Sequence, residues 1–178
     1  SLFLCGFLTP LKDKKYLLSY SIKDYSLYLR FTKIHLTMSY LSLIIHCVWS
    51  TKNRAPLLKN SHYRYELYSH IRKYSKSKGI LIDHIGGFTD HMHLLLFLKS
   101  NQSVGEIERL IKGESSHWYS QMKYGPLQWQ DDYFAVSVSP DRLNTVRQYI
   151  RKQEEHHKKY SFEEEYESFV SMLHKNNL

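Results

Sequence analysis

Apolar residues form short runs in some segments of the chain and recur at helical spacing in others, which predicts both strands and helices. Short apolar segments predict strands at residues 41–49, 80–85, 91–98 and 133–138, and the first of them is rich in β-branched and aromatic side chains. Apolar side chains that recur every three or four residues, or helix-start signals, predict helices at residues 56–78, from 103, at 139–157 and at 162–174. The predicted order is therefore β-α-β-β-α-β-α-α.

Turn and capping residues support these boundaries. Gly86-Gly87 provide the short turn of a predicted antiparallel hairpin. Ser103 and Glu106 form a capping box, and Ser139-Pro140-Asp141 place an N-cap, a proline and an acid at the start of the next helix. The last helix carries acids that we expect on its outer side: Glu163, Glu164, Glu165 and Glu167. Together the elements predict an α+β fold of ferredoxin-like type, with helices packed on an antiparallel sheet.

Composition adds a class of partner. The 178 residues are 42% hydrophobic, which suits one compact domain, and they carry a formal net charge of +8. A basic surface favours polyanions, so nucleic acid is the leading partner, and 15 tyrosines offer rings on which bases can stack. The two cysteines, Cys5 and Cys47, predict neither a disulfide framework nor a cysteine zinc site. With no apolar run of the roughly 20 residues that a membrane helix needs, we expect a cytoplasmic protein that does not enter the membrane.

The regular pattern begins at Met38. Residues 1–37 mix Tyr, Leu and Lys without a clean period, whereas Met38 is followed at once by the first predicted strand. We therefore expect residues 1–37 to be an N-terminal extension and residues 38–178 to be the functional domain.

Two histidines stand at the start of the third predicted strand. His91 and His93 project to the same side, because side chains alternate along a strand and Met92 points the other way. This spacing lets one divalent ion reach both rings. The alternative is a pair of polar strand residues that face solvent.

A second pair of candidate residues lies on the third predicted helix. Tyr149 and Gln153 are four residues apart and share a helix face. A tyrosine hydroxyl can attack phosphorus, and an amide oxygen can complete a metal site begun by two histidines. Tyr149 could instead be a half-buried aromatic beside Val146 and Ile150. His156 and His157 could add a ligand, or they could be two adjacent surface histidines near acids.

Five segments, in this order, resemble the single-tyrosine transposases of the HUH nuclease superfamily, which belong to insertion sequences and include repeat-associated bacterial relatives. The resemblance spans residues 38 to about 169. The segments are VWSTKNRAPLL at 48–58, DHMHLLL at 90–96, IKGESSHW at 111–118, WQDDYFAVSVSP at 129–140, and the Y-x-x-x-Q of Tyr149 and Gln153 followed by EEHHKK. One departure is residues 131–134, where the family often has a glycine-rich stretch.

The resemblance implies a complete mechanism. His91, His93 and Gln153 would hold a Mg²⁺ or Mn²⁺ ion, and Tyr149 would be the nucleophile. Single-stranded DNA next to hairpins would be cleaved through a transient 5′-phosphotyrosine with a free 3′-hydroxyl, and rejoined by the reverse attack. The family also implies a homodimer, in which the tyrosine helix of one subunit can complete the site of the other.

Further expectations concern DNA contacts and competing functions. Lys52, Arg54 and Lys112 are the candidate DNA-binding residues, with solvated surface lysines as the alternative. A non-catalytic module of ferredoxin-like fold that binds single-stranded nucleic acid is the main competing function, although no RNP-type segment occurs. A zinc hydrolase is the third, and His156, His157 and Asp90 lack convincing spacing for it.

Overall fold

The computed structural model describes residues 41–176, which contain four strands and five α-helices. In chain order they are β1 (Leu43–Ser50), α1 (Ser61–Ser77), β2 (Leu81–Gly87), β3 (His91–Leu98), α2 (Val104–Gln121), β4 (Phe134–Ser137), α3 (Leu143–Arg151), α4 (Gln153–His156) and α5 (Phe162–Asn176). Two 3-10 turns, Lys52–Arg54 and Pro140–Arg142, precede α1 and α3. The extension predicted at residues 1–37 lies outside the described residues.

The four strands form one antiparallel sheet in the spatial order β2-β3-β1-β4. This order, with α1 and α2 as the connections between strands, confirms the predicted α+β fold of ferredoxin-like type. The two central strands, β1 and β3, pair along their whole length, from Leu43 opposite Leu98 to Ser50 opposite His91. No helix within the described residues combines the length and apolarity needed to cross a bilayer.

The sheet has two chemically different faces. On what we call the apolar face, β3 presents Met92, Leu94 and Leu96, which are buried with residues of α1 and α2 in one large core. On the opposite side, which we call the histidine face, the alternate β3 residues His91 and His93 are buried. The apolar part of this second face is a small cluster of Ile44, Leu95 and Ile150. The residues of α1 and α2 in the apolar core are Leu67, Tyr68, Ile71, Ile107, Ile111 and Tyr119.

The turn predicted at Gly86-Gly87 is wrong, because both glycines belong to β2. Residues 88–90 form the turn instead, and the Phe88 N–H donates to the His91 carbonyl at 3.1 Å. Gly86 is needed for a close approach: a Cβ there would lie 2.3 Å from the Ile150 carbonyl oxygen. The glycine therefore lets α3 lie directly against the sheet.

Two helix predictions also need correction. The first helix begins at Ser61 rather than at residue 56, because the Leu58 N–H is taken by the Thr89 carbonyl at 2.8 Å and Asn60 caps the helix. The third predicted helix is broken at Lys152, where φ is −99° and ψ is 19°. Nothing in the local sequence signals this break, which accompanies the burial of Gln153 against the sheet.

Candidate active site

Both predicted metal-binding histidines lie on the histidine face, and both are fully buried at 0% exposure. The alternative of solvent-facing strand residues is therefore wrong. Each ring is held through Nδ1: Asp90 Oδ1 lies 2.8 Å from His91 Nδ1, and His46 Nε2 lies 3.0 Å from His93 Nδ1. Partners at one ring nitrogen fix an imidazole so that its other nitrogen can act as a ligand.

Gln153, the first residue of α4, reaches the same place. Its side chain is buried, with Oε1 at 3.2 Å from His91 Nε2. The structure therefore brings this amide into contact with His91, although the helix that should carry it is interrupted one residue earlier.

Tyr149 lies beside the histidines of its own chain. Its ring centroid is 5.6 Å from that of His93, edge to face, and 5.3 Å from that of His156. Tyr149 is also packed against Ile150 and near Val146, as the alternative interpretation expected. The two interpretations are compatible, because the Tyr149 ring contacts both the small apolar cluster and the histidines.

Two further side chains, from beyond Gln153, complete the arrangement. The His157 side chain is only 3% exposed, and its Nε2 lies 3.0 Å from His91 Nε2. The interpretation of His157 as a surface histidine is therefore wrong. The prediction that Glu165 lies on the outer side of the last helix is also wrong, because this residue is only 5% exposed. Glu165 shares a helix face with Phe162, whose ring stacks on His91 at 4.5 Å. This three-residue spacing was the signal that sequence reasoning missed.

A family model described as "Transposase IS200 like" matches residues 39–153 of the chain. The match covers more than half of the sequence and includes both histidines, Tyr149 and Gln153. The chain belongs to the IS200-like transposase family.

Solved structures agree with the fold of this IS200-like transposase. A proposed transposase from Deinococcus radiodurans R1 aligns with a TM-score of 0.51 at 22% identity, over 65% of this chain and 93% of that chain. A REP-associated tyrosine transposase bound to a REP hairpin aligns with a TM-score of 0.52 at 18% identity, over 67% of this chain and 72% of that chain. A comparison with curated protein sequences returned no match.

Burial favours the uncharged form of three of the rings in this site. Desolvation lowers the pKa of His46 and of His157 to about 4, and it lowers the pKa of His93 well below 6.5. Desolvation, aided by Asp90, raises the pKa of Glu165 to about 8. Neutral imidazoles are the form that binds metal ions.

The side chains fit a divalent cation by their chemistry. Within the described residues, His93 Nε2 and Glu165 Oε2 are buried atoms without a hydrogen-bond partner. Possible ligand atoms of His91, His157 and Glu165 all lie within 4.8 Å of one another. A mixture of imidazole nitrogens with amide and carboxylate oxygens suits Mn²⁺, and its oxygens suit Mg²⁺.

Two of the predicted DNA-binding residues lie at the surface beside the site. Lys52 Nζ is 3.2 Å from an Asp131 carboxylate oxygen, and the Arg54 guanidinium pairs with Glu163 at the start of α5. Both pairs are well exposed, so a DNA phosphate could exchange with either acid. The DNA contacts of Lys52 and Arg54 stay predictions.

The third predicted DNA-binding residue is differently placed. The Lys112 ammonium donates to the carbonyls of residues 130, 131 and 132 at 2.8, 3.0 and 3.2 Å, and it pairs with Glu108. Burial lowers its pKa to about 8. These bonds give Lys112 a structural role in fixing the segment before β4, and a DNA contact, which stays a prediction, would have to replace some of them.

Proposed function

We propose that this IS200-like transposase cleaves and rejoins single-stranded DNA next to hairpins, with Tyr149 as the nucleophile. The observation that carries the proposal is the position of the Tyr149 ring, 5.6 Å from His93 on the buried histidine face. A tyrosine that only packs against apolar residues does not need to lie beside histidines. A nucleophile, by contrast, must lie beside the groups that hold the phosphate.

The proposed chemistry is an exchange of one phosphoester for another. The Tyr149 oxygen attacks the phosphorus, its bond to hydrogen is lost, and the bond from phosphorus to the 3′-oxygen breaks. The products are a 5′-phosphotyrosine and a strand whose 3′-oxygen has gained a proton. Attack of a 3′-hydroxyl on the phosphotyrosine reverses the exchange, so no nucleotide cofactor is needed.

The proposed metal ligands are His91, His93 and Gln153. A Mg²⁺ or Mn²⁺ ion bound there would supply Lewis-acid chemistry, offsetting charge that develops on the phosphate oxygens. Such help is necessary because an ordinary tyrosine hydroxyl has a pKa of about 10 and is a weak nucleophile near neutrality. The residues themselves orient the site: Asp90 and His46 hold the two rings, and Gly86 lets α3 bring Tyr149 close.

A cleft next to the site offers a path for a single strand. It has a volume of about 460 Å³ and includes Arg54, Tyr133, Phe162 and Tyr166 in its lining. Tyr133 and Tyr166 are 41% and 48% exposed, so bases could stack on their rings. Phe162 connects this cleft to His91, on which it stacks. The REP hairpin in a structurally similar transposase supports a hairpin as the partner.

The decisive experiment incubates the full chain with labelled single-stranded DNA that carries a hairpin from the flanks of its gene, in Mn²⁺ or Mg²⁺. We expect a DNA-protein adduct that survives denaturation, and we expect Tyr149→Phe to abolish it while hairpin binding persists. Tyr65→Phe, an exposed tyrosine on α1, is the matched control and should retain the adduct. An adduct formed by Tyr149→Phe would refute the assignment. If hairpin affinity were the same with and without chelator and no adduct formed, the result would instead favour the non-catalytic module.

The assembly is a separate part of the proposal. We expect the homodimer of the family, and we expect each tyrosine to act with the histidines of its own chain, because Tyr149 already contacts His93 there. Mixing Tyr149→Phe with His91→Ala protein should then fail to restore the adduct. Restoration would indicate that the tyrosine helix is exchanged between subunits. We further propose that residues 38–178 form the catalytic domain and that residues 1–37 are dispensable for the chemistry.

A further inference from the structure

The match to the transposase family ends at Gln153, yet two buried side chains beyond it face the histidines. We propose that His157 and Glu165 are additional ligands of the divalent cation, so that the segment after Gln153, including α5, completes the metal site. This inference rests on the metal-dependent chemistry proposed above. It adds one nitrogen and one carboxylate to the set of His91, His93 and Gln153.

The hydrogen bonds of His157 show which of its nitrogens is free to bind metal. Its Nδ1 lies 2.9 Å from the Tyr160 carbonyl oxygen, which can only accept, so Nδ1 carries the hydrogen. In the neutral ring Nε2 then presents a lone pair. That lone pair faces His91 Nε2 at 3.0 Å and the Gln153 amide oxygen at 3.0 Å.

His91 is fixed in the same sense. Its Nδ1 donates to the Asp90 carboxylate at 2.8 Å, which leaves a lone pair on Nε2. The Gln153 amide is oriented by its NH₂ group, which lies 3.4 Å from a Glu165 oxygen, so the amide oxygen is turned toward both rings. Two ring nitrogens and one amide oxygen therefore converge as acceptors with no hydrogen between them. A cation in the space that they share removes the repulsion.

Glu165 closes the arrangement with two carboxyl oxygens. One carboxylate oxygen lies 3.2 Å from His157 Nε2 and 3.8 Å from His91 Nε2, and the other lies 3.5 Å from His93 Nε2. The side chain is 2% exposed, and Oε2 lacks a hydrogen-bond partner within the described residues. Glu165 Oε1 accepts from the Gln153 amide at 3.4 Å, so Oε2 is the buried oxygen that is left unsatisfied. A hard divalent cation, which binds carboxylate oxygen preferentially, would remove that cost.

The packing of α5 explains how a distant residue reaches the site. Phe162 stacks on His91 with ring centroids 4.5 Å apart, and Glu163 pairs with Arg54. These contacts hold the first turn of α5 against the histidine face, where Glu165 points inward. Binding of the cation should therefore stabilise the docking of α5.

The test measures Mn²⁺ binding to the full chain without DNA, from the electron paramagnetic resonance signal of unbound Mn²⁺. We expect Glu165→Gln and His157→Gln each to weaken Mn²⁺ affinity by about tenfold or more. Substitution of residues that only hydrogen-bond to metal ligands already lowers metal affinity by about this factor. Glu167→Gln, which removes the same charge from an exposed position of α5, should bind Mn²⁺ as the wild type does. Wild-type affinity in both Glu165→Gln and His157→Gln would overturn the inference.

Thermal unfolding separates ligands from structural residues. In chelator, a variant with wild-type unfolding temperature has kept the fold, and a true ligand variant should then lose the rise that Mn²⁺ gives the wild type. A variant that unfolds earlier in chelator but retains the full Mn²⁺-dependent rise would count against a ligand role.

The covalent adduct distinguishes this inference from the proposed function. The adduct could depend on Tyr149 while substitutions of Glu165 and His157 leave Mn²⁺ affinity unchanged. That result would refute the two additional ligands but not the proposed transposase chemistry. Mn²⁺ binding that depends on both residues, without any adduct, would do the opposite. A wild-type protein that binds no Mn²⁺ would overturn both.

Discussion

The two faces of one sheet perform different tasks, and β3 shows the division most clearly. Its residues Met92, Leu94 and Leu96 enter a large apolar core with α1 and α2, whereas His91 and His93 are buried against polar groups from α3, α4 and α5. Burial of hydrocarbon stabilises the first face, but burial of imidazole and carboxylate groups opposes folding unless they find partners. The apolar face must therefore supply the stability that the histidine face lacks.

This division predicts that stability and activity can be separated by neighbouring residues of a single strand. Substitutions on the apolar face should unfold the protein before they alter the site. Those on the histidine face should alter the proposed metal site or the position of Tyr149 while the fold survives.

The largest effect is expected from Leu94→Ala, which removes a fully buried side chain from the apolar face. It should lower the free energy of unfolding by about 3–5 kcal/mol, because the packed core cannot collapse around the cavity. Urea denaturation measures this change. Leu81→Ala, at a position 55% exposed in β2, is the control and should cost much less. A loss below about 1 kcal/mol for Leu94→Ala would contradict the assignment of the core.

Gly86→Ala should have the next largest effect, through the spacing between the sheet and α3. The added Cβ would lie 2.3 Å from the Ile150 carbonyl oxygen, so the helix backbone must move. We expect a loss of about 1–3 kcal/mol in unfolding free energy. Adduct formation should fall further than the loss of folded protein explains, because Tyr149 moves with α3.

The control for this substitution is Gly113→Ala. Gly113 lies in α2, and a Cβ there meets nothing within 4 Å. Alanine in a helix should raise the unfolding free energy by about 0.5–1 kcal/mol relative to glycine, with unchanged adduct formation. If Gly86→Ala behaved in the same way, the close packing of α3 would not position the tyrosine.

The contrast between the faces also explains what could be predicted from the sequence. The apolar run that follows the two histidines predicts β3 at 91–98, where it is found, and the capping box places α2 correctly, because these signals are local. The order of such elements limits the topology to few choices, and the ferredoxin-like fold is among them. The apolar face follows directly, since its helices repeat their hydrophobic residues at helical spacing.

The histidine face depends on contacts between residues that are distant in the chain, and local sequence signals do not encode such contacts. The run of acids in α5 indicates a solvated side, but the stacking of Phe162 on His91 turns Glu165 inward. Likewise, Gly86-Gly87 are typical of a turn, and only the position of the Ile150 backbone against Gly86 explains a glycine within β2. His46 gives no signal at all, because its contact with His93 depends on the pairing of β1 with β3.

A smaller effect is expected at His46, which touches a proposed ligand without being one. His46→Gln should weaken Mn²⁺ binding by about tenfold, since it removes the ring that holds His93 Nδ1 at 3.0 Å. Electron paramagnetic resonance of unbound Mn²⁺ measures the change. His62→Gln, at an exposed position of α1, should leave Mn²⁺ affinity unchanged. Equal Mn²⁺ affinity in His46→Gln and His62→Gln would show that His46 does not support the metal site.

The smallest effect is expected at the ion pair between Arg147 and Asp83, which joins α3 to β2 at the edge of the histidine face. The Arg147 guanidinium binds both oxygens of Asp83 in β2, at 2.7 and 2.8 Å. The hydrogen bond from Arg147, aided by His84, lowers the pKa of Asp83 from its ordinary value of 3.8. Asp83→Asn should cost about 1 kcal/mol at pH 7, because the pair is only partly buried.

The pH dependence gives this prediction its sign. A carboxylate whose pKa is lowered by folding stabilises the protein above the unfolded value of 3.8, and the contribution disappears as pH falls through the folded value. The difference in unfolding free energy between wild type and Asp83→Asn should therefore be constant from pH 7 to pH 5 and shrink toward pH 3. Asp131→Asn, whose partner Lys52 is more exposed, should show a smaller difference. A difference that grew on acidification would mean that folding raises the pKa of Asp83, which would contradict a stabilising ion pair with Arg147.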